Sequence, residues 1–188
     1  YLKPIKNAIT VDIGGGSTEL ARIENGNIVE TISLDIGTVR LKELYFDKKS
    51  SLETIRHAIN KEIQNIPPRF CTDEIIGIGG TIRSLSKMIM EKIDYPLKTV
   101  HGFEYHIEDH APFIEAIIDS DVLGLKNLGV RKDRYDTMRE GCVIFQAIYQ
   151  ALLSKKVITS GAGVREGAYL CDLLRSSKHK FSPNFKLS

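Results

Sequence analysis

The chain contains 188 residues, of which 42% are hydrophobic and 27% are charged, the balance of a soluble globular domain. This composition excludes a disordered chain, a collagen-like chain and a coiled coil, and the longest charge-free apolar stretch, residues 142–153, is too short to span a bilayer. The net charge of +2 arises at the chain end, where residues 175–188 carry four basic side chains and no acid, so we expect neither a nucleic acid nor a membrane as partner.

The first part of the chain predicts three strands. Residues 8–13 are rich in β-branched side chains, as in a buried strand, and the triplet Gly14–Gly16 follows them directly. Residues 18–24 predict a second strand and residues 27–34 a third, separated by Asn25-Gly26, the dipeptide that a type I′ turn favours. The chain therefore opens with strand, glycine loop, strand, tight turn and strand.

The rest of the chain predicts helices that alternate with two further strands. The strands are residues 74–78 and 156–159, and glycines follow both of them. The predicted helices span residues 38–46, 51–66, 81–92, 110–118, 136–153 and 165–174. This order indicates an α/β fold in which a mixed five-stranded sheet carries helices on both faces. Three glycine loops follow strands, at the sheet edge where open α/β proteins bind ligands.

The densest candidate site is the segment DIGGGSTE, residues 12–19. Its glycines let a ligand approach the backbone, whose N–H groups can bind an anion, and two hydroxyls stand beside them. Asp12 and Glu19 flank the loop as a pair of carboxylates that would hold Mg²⁺. A plain hairpin turn with solvated acids is the alternative, but the two acids and the hydroxyls favour a phosphate site. The predicted phosphate loop consists of Gly14, Gly15, Gly16, Ser17 and Thr18.

Two further glycine segments and one arginine are weaker candidates. The second segment, which includes Gly79, Gly80, Thr81 and Arg83, leads from a strand into a helix whose N-terminus could face an anion or a nucleotide. Close packing of the glycines and a solvated Arg83 explain the same residues equally well. The third segment, residues 160–167, contains Arg165, for which a structural role is favoured. Arg134 follows a run of charges and could bind phosphate oxygens through its guanidinium fork, or be solvated.

The cysteines and the chain start concern the setting of the protein. Cys71, Cys142 and Cys171 include no CxxC pair, so they predict neither a disulfide framework nor a zinc site, and they fit a reducing, cytoplasmic compartment. The chain begins at Tyr1 and shows no leader segment. We therefore expect either a processed start or a part of a longer protein.

The three glycine segments together resemble a known family. VDIGGGSTEL, IGIGGTIRSLS and SGAGVREGAYL are similar, in order and spacing, to three motifs of the exopolyphosphatase / guanosine pentaphosphate phosphohydrolase (Ppx/GppA) family, and the resemblance covers nearly the whole chain. It implies a ribonuclease H-like domain of the actin, Hsp70 and sugar kinase superfamily. By this resemblance, residues 1–175 are the second of two such domains, residues 176–188 are a basic tail, and the first domain lies outside this chain.

The resemblance also implies an activity and the residues for it. The expected reaction is Mg²⁺-dependent hydrolysis of a terminal phosphoryl group of polyphosphate or guanosine pentaphosphate. Asp12 and Glu19 are then the metal-binding and catalytic carboxylates, residues 14–18 are the phosphate loop, and Arg134 faces the substrate. The general base belongs to the first domain, so the chain alone is expected to be inactive. Expected partners are the substrate, that first domain and, as an open question, a second copy of the protein.

Two alternatives remain from the residues. A fold relative could bind the alarmone nucleotide or polyphosphate without hydrolysing it, although two carboxylates beside an anion site disfavour a purely binding role. An actin-fold kinase of small metabolites would need an ATP site at Gly79, Gly80 and Thr81, and the GGGSTE loop resembles the phosphatases more closely.

Overall fold

The computed structural model describes residues 6–176, and these residues form a six-stranded sheet and seven α-helices. The strands are β1 (Ala8–Ile13), β2 (Thr18–Glu24), β3 (Asn27–Leu34), β4 (Glu74–Ile78), β5 (Glu104–His106) and β6 (Lys156–Thr159). The helices are α1 (Thr38–Leu41), α2 (Leu52–Ile63), α3 (Gly79–Lys92), α4 (Ile107–Asp119), α5 (Val122–Asn127), α6 (Met138–Ala151) and α7 (Val164–Ser176). The predicted basic tail beyond residue 176 and the chain start lie outside the described residues.

The sheet is mixed, with the strand order β3-β2-β1-β4-β6-β5. β1, β2 and β3 form an antiparallel meander, whereas β4 runs parallel to β1 and β6 runs parallel to β4. β5 closes the far edge in the antiparallel direction. The three parallel strands β1, β4 and β6 are therefore neighbours, and their carboxyl ends meet at one edge of the sheet.

One face of the sheet carries the main core. Val11, Leu20, Ile75 and Val157 are fully buried on this face. α3 lies against it and is fixed to β6 by a 2.7 Å hydrogen bond between the Ser86 and Thr159 hydroxyls. The apolar side of α6 packs beside α3, and α2 and α4 pack in turn against α6. Because side chains alternate along a strand, Asp12 points to the opposite face from Val11.

The meander and the capped helix α2 confirm the predictions from the sequence. The Asn25-Gly26 turn has the positive φ values that it requires, 51° and 78°. The Ser51 side chain accepts a 3.2 Å hydrogen bond from the Thr54 N–H and so caps α2. The mixed α/β fold is confirmed as well.

Other details of the prediction were wrong. The sheet has six strands rather than five, because β5 contains only three residues, too few for an alternating pattern to be recognised. α3 begins at Gly79 and not at Thr81, so the second glycine pair belongs to the helix. The predicted helix over residues 38–46 is a single turn, α1, that continues as a π-helix over Lys42–Phe46. Within residues 6–176, no helix combines the length and apolar character needed to cross a bilayer.

Candidate active site

The carboxyl ends of β1, β4 and β6 enclose one cavity. Asp12 of β1 is the register partner of Ile78 on β4, and Gly77 of β4 is the partner of Thr159 on β6. The segments that follow the three strands consequently face a common cavity of about 370 Å³. The polar side chains that line it include Asp12, Arg83, Arg134, Arg165 and Glu166. The sheet topology thus brings together residues that are more than 150 positions apart in sequence.

Asp12 and Glu19 form a pair of neighbouring carboxylates. They are register partners on the antiparallel strands β1 and β2, so their side chains stand on the same face of the sheet. Burial raises the pKa of Asp12, and the Glu19 charge raises it further, while Arg83 acts in the opposite direction. Glu19 is exposed and accepts hydrogen bonds from the hydroxyls of Ser17 and Ser33. The two acids therefore repel each other, and a bound cation would relieve that repulsion.

The glycine triplet forms the turn between β1 and β2. The Gly14 N–H donates a 2.9 Å hydrogen bond to the Ser17 carbonyl, which closes the turn. A side chain at Gly14 would crowd that carbonyl, and one at Gly15 would crowd Val39. At Gly16, by contrast, an added Cβ would meet no atom within 4 Å, and its φ is not in the left-handed region. The described chain itself therefore gives no reason for a glycine at position 16.

The first turn of α1 holds the carbonyl groups of this loop. The Thr38 N–H donates to the Gly14 carbonyl at 3.0 Å, and the Val39 N–H donates to the Gly15 carbonyl at 2.9 Å. A Cβ at Gly37 would overlap the Gly15 backbone, so this glycine permits the contact. α1 thus holds the loop carbonyls, and the N–H groups of Gly15 and Gly16 have no acceptor within residues 6–176. They remain available to an anion.

Sequence analysis did not identify Gly37 or the role of α1. The only local signal was a glycine directly before the predicted helix, in the segment DIGTVRL over residues 35–41. A glycine in that position is common for other reasons, and its contact with Gly15 depends on how the two segments meet in the fold.

The two hydroxyls of the predicted phosphate loop have partners within the protein. Ser17 donates to Glu19, as described above. The Thr18 side chain is fully buried, and its hydroxyl donates to the Ile36 carbonyl at 2.7 Å. Thr18 therefore secures the segment before α1, a placement that does not support the predicted contact between its hydroxyl and phosphate.

Gly79 and Gly80 create space for two site residues. Gly79 has a φ of 83°, and a side chain there would overlap the carboxylate of Asp12. A Cβ at Gly80 would lie 2.9 Å from both terminal nitrogens of Arg134, so the guanidinium group rests against the first turn of α3. Thr81, the next residue, is buried and packs against Gly141 of α6. The glycines thus allow Asp12 and Arg134 to approach the start of the helix.

Arg83 links the second and third glycine segments. Its Nε donates to the Gly79 carbonyl at 3.0 Å, and its Nη1 donates to the Gly161 carbonyl at 2.9 Å. On the other side of the third segment, the Gly161 N–H donates to Nδ1 of His101 at 3.1 Å. Arg83 and His101 together fix the position of this segment. His101 was not recognised from the sequence, because it lies 60 residues away from its partner.

The third segment adds one cation and one acid to the cavity. Arg165 and Glu166 are exposed and line it from the start of α7. Glu166 also accepts a 2.8 Å hydrogen bond from the Gly163 N–H, which lowers the pKa of its carboxyl group. This bond fixes the start of α7 against the loop, whereas the structural role favoured for Arg165 and its possible contact with substrate both stay predictions.

A metal ion at this site would have two protein carboxylates. Among residues 6–176, no cluster of three or more His, Cys, Asp or Glu side chains is suited to hold a metal. Mg²⁺ fits a site of this kind, because it usually retains several waters and binds through one or two carboxylates together with substrate phosphates.

Comparison with known families is decisive for the identity of the fold. The family model of the Ppx/GppA phosphatases matches residues 2–176. The chain belongs to the Ppx/GppA phosphatase family. The family is the one that the resemblance of the three glycine motifs indicated, and the site residues stay predictions.

Solved structures agree with this assignment. A Ppx/GppA family member from Aquifex aeolicus is 27% identical and superimposes with a TM-score of 0.74, over 95% of this chain and 60% of its own. An exopolyphosphatase from Cytophaga hutchinsonii is 18% identical, with a TM-score of 0.73 over 89% of this chain and 57% of its own, and shows the shared fold. The chain thus spans about three fifths of the length of the relatives that it matches.

Proposed function

We propose that this chain is the phosphate- and metal-binding half of an exopolyphosphatase or guanosine pentaphosphate phosphohydrolase. One observation carries the proposal. The carboxylate of Asp12 and the guanidinium of Arg134 approach the same helix start, at Gly79 and Gly80, inside the cavity at the sheet edge. A carboxylate suited to a cation, beside a guanidinium that has no side-chain partner within residues 6–176 and is suited to phosphate oxygens, is a combination that phosphoryl transfer uses.

Each part of the site has a separate task in this proposal. Asp12 and Glu19 hold Mg²⁺, which neutralises charge on the phosphoryl oxygens when it is bound. The N–H groups of Gly15 and Gly16 and the fork of Arg134 bind those oxygens and orient the terminal group. Arg83 already donates to two carbonyls, so it keeps the glycine segments in place rather than acting mainly as a substrate ligand.

The attacking water also needs a general base. Family resemblance assigns this base to a first domain, and the relatives from A. aeolicus and C. hutchinsonii extend well beyond the length of this chain. A general base contributes typically 10²–10⁴-fold to a rate, and an open half-site leaves the reacting group in water. The proposed activity of the 188-residue chain alone is therefore binding with little hydrolysis.

The test compares phosphate release by two proteins. The 188-residue chain and a fusion with a family first domain before Tyr1 are assayed on polyphosphate with Mg²⁺, and the fusion should turn over at least about 100 times faster. In the fusion, Glu19→Gln should abolish release, whereas Glu62→Gln on α2, outside the cavity, should not. Equal rates for the short chain and the fusion would place the base within this sequence. Tight binding without release in the fusion would indicate a binding protein instead.

A further inference from the structure

A second cavity continues from the candidate site along α3. It has a volume of about 520 Å³ and shares Gly80, Arg83 and Arg134 with the first cavity. We call it the α3 groove; one side is α3, from Gly80 to Glu91, and the other is the segment from Gly129 to Arg134. Anything too long for the first cavity can extend into this groove without leaving the protein surface.

The charge of the α3 groove favours an anion near the candidate site. Arg83, Lys87, Arg131 and Arg134 line it, against the carboxylates of Glu91 and Asp133. Asp133 is paired with Arg131 at 3.1 Å. Lys87 and Arg134 have no side-chain hydrogen bond or ion pair within residues 6–176, so no paired carboxylate neutralises these two positive charges between the candidate site and Lys87.

The arrangement along α3 gives the groove a direction. Arg83, Lys87 and Glu91 follow one another at intervals of four residues and so form one stripe of the helix. The helix dipole is positive at the Gly79 end, and the sign of the side-chain charge changes between Lys87 and Glu91. The attractive part therefore runs from Gly80 to Lys87, roughly 10 Å at the rise of an α-helix.

We infer that the α3 groove binds the phosphate groups that follow the reacting one in an extended substrate. This inference rests on the proposed function, since it places the terminal phosphoryl group in the first cavity. The reacting group lies near Asp12 and Arg134, and the anionic chain leads away past Gly80 towards Lys87. Substrates with a long phosphate chain use both cavities, whereas a short one uses only the first.

Binding to the 188-residue chain tests this inference by calorimetry with Mg²⁺, using tripolyphosphate and long-chain polyphosphate as probes. Lys87→Ala should weaken long-chain binding by about threefold, a typical effect for one exposed charge, and reduce its salt dependence by about one ion. Binding of tripolyphosphate should not change. Lys61→Ala, which removes an equal charge from the exposed end of α2, is the matched control and should leave both affinities unchanged.

Three outcomes would overturn the inference. Equal long-chain affinities for the wild type and Lys87→Ala, with intact tripolyphosphate binding, would refute the groove and leave the proposed function standing. Failure of the wild type to bind either probe would refute the proposed function and the groove together. A third experiment uses GTP as the probe. If the wild type binds GTP more tightly than long-chain polyphosphate, and Glu91→Gln does not, the groove accepts a nucleoside instead of phosphates.

Discussion

Replacement of Glu140 by glutamine should become more favourable for the stability of the protein as the pH rises from 4 to 8. Glu140 lies on α6, only 4% exposed, and its Oε2 atom has no hydrogen-bond partner among residues 6–176. Burial raises the pKa of its carboxyl group from 4.5 to about 7, against smaller opposing effects of its own backbone N–H, Arg139 and Lys42. The charged form is therefore unfavourable in the folded state.

The pH dependence follows from this difference in pKa. Well below pH 4.5 the group is protonated in both the folded and the unfolded chain, so it has little effect on stability. As the pH rises, the unfolded chain loses this proton first, and folding becomes less favourable. At about 1.4 kcal/mol per pKa unit, the loss between 4.5 and about 7 reaches roughly 3 kcal/mol at pH 8.

Urea unfolding of the wild type and Glu140→Gln from pH 4 to pH 8 measures this effect. The burial of the amide adds an offset that does not vary with pH, so the informative quantity is how the difference in free energy of unfolding changes. Between pH 4 and pH 8, the free energy of unfolding of Glu140→Gln should rise by roughly 3 kcal/mol relative to that of the wild type. A difference that stays constant over this range would refute the reasoning.

Glu115→Gln serves as the control of opposite sign. Hydrogen bonds from Gln146 and Arg56 lower the pKa of Glu115, so its charge contributes stability above the ordinary carboxyl pKa and that stability is lost as the pH falls. This variant should therefore be less stable than the wild type at pH 7 and approach it towards pH 4.

Three further predictions concern the site. Gly16→Ala should leave the melting temperature unchanged, since its Cβ meets open space, but should weaken tripolyphosphate binding about tenfold, because an inserted methyl group costs roughly 1–3 kcal/mol in a filled contact. Gly167→Ala, also in open space, is the control and should change neither quantity. Weaker tripolyphosphate binding by Gly167→Ala would show that the effect is unspecific. Arg134→Ala should weaken tripolyphosphate binding most at low salt, and Arg134→Lys should recover only part of the lost affinity. Equal affinities of the wild type and both variants across a salt series would show that Arg134 does not bind the anion. Asp12→Asn should raise the melting temperature at pH 7 without metal, because the raised pKa of Asp12 makes its charged form unfavourable in the fold. The variant should also lose the rise in melting temperature that MgCl₂ gives the wild type. An equal rise with MgCl₂ in both proteins would contradict the metal assignment.

The sequence was sufficient for the parts of the fold that local patterns determine. β-branched runs and the Asn25-Gly26 turn specify the meander, and glycines after β1, β4 and β6 predicted the edge of the sheet where the candidate cavity lies. The positions of Asp12 and Glu19 also follow from local pairing, because a short turn between two strands places the residues on either side of it opposite each other.

Contacts between distant segments could not be predicted. The hydrogen bond from Arg83 to the Gly161 carbonyl joins residues 78 positions apart, and nothing near either residue indicates it. The same holds for Thr18, whose hydroxyl appeared suited to phosphate but is used by the Ile36 carbonyl in the fold. A residue type shows which bonds a side chain can make, but only the tertiary structure shows which partner it has.

The adjacency of β1, β4 and β6 also determines when the cavity appears during folding. Most of its lining comes from three segments that are distant in the chain. The last of them, which follows β6, is joined to Gly77 by the hydrogen bond from the Ser160 N–H. The meander can form early from local contacts, but the cavity exists only after β4 and then β6 have paired, which involves the closure of long loops. A ligand that contacts all three segments binds only the completed sheet. At 100 times its dissociation constant it would stabilise that state by about 2.7 kcal/mol against any form in which β4 or β6 is detached from the sheet.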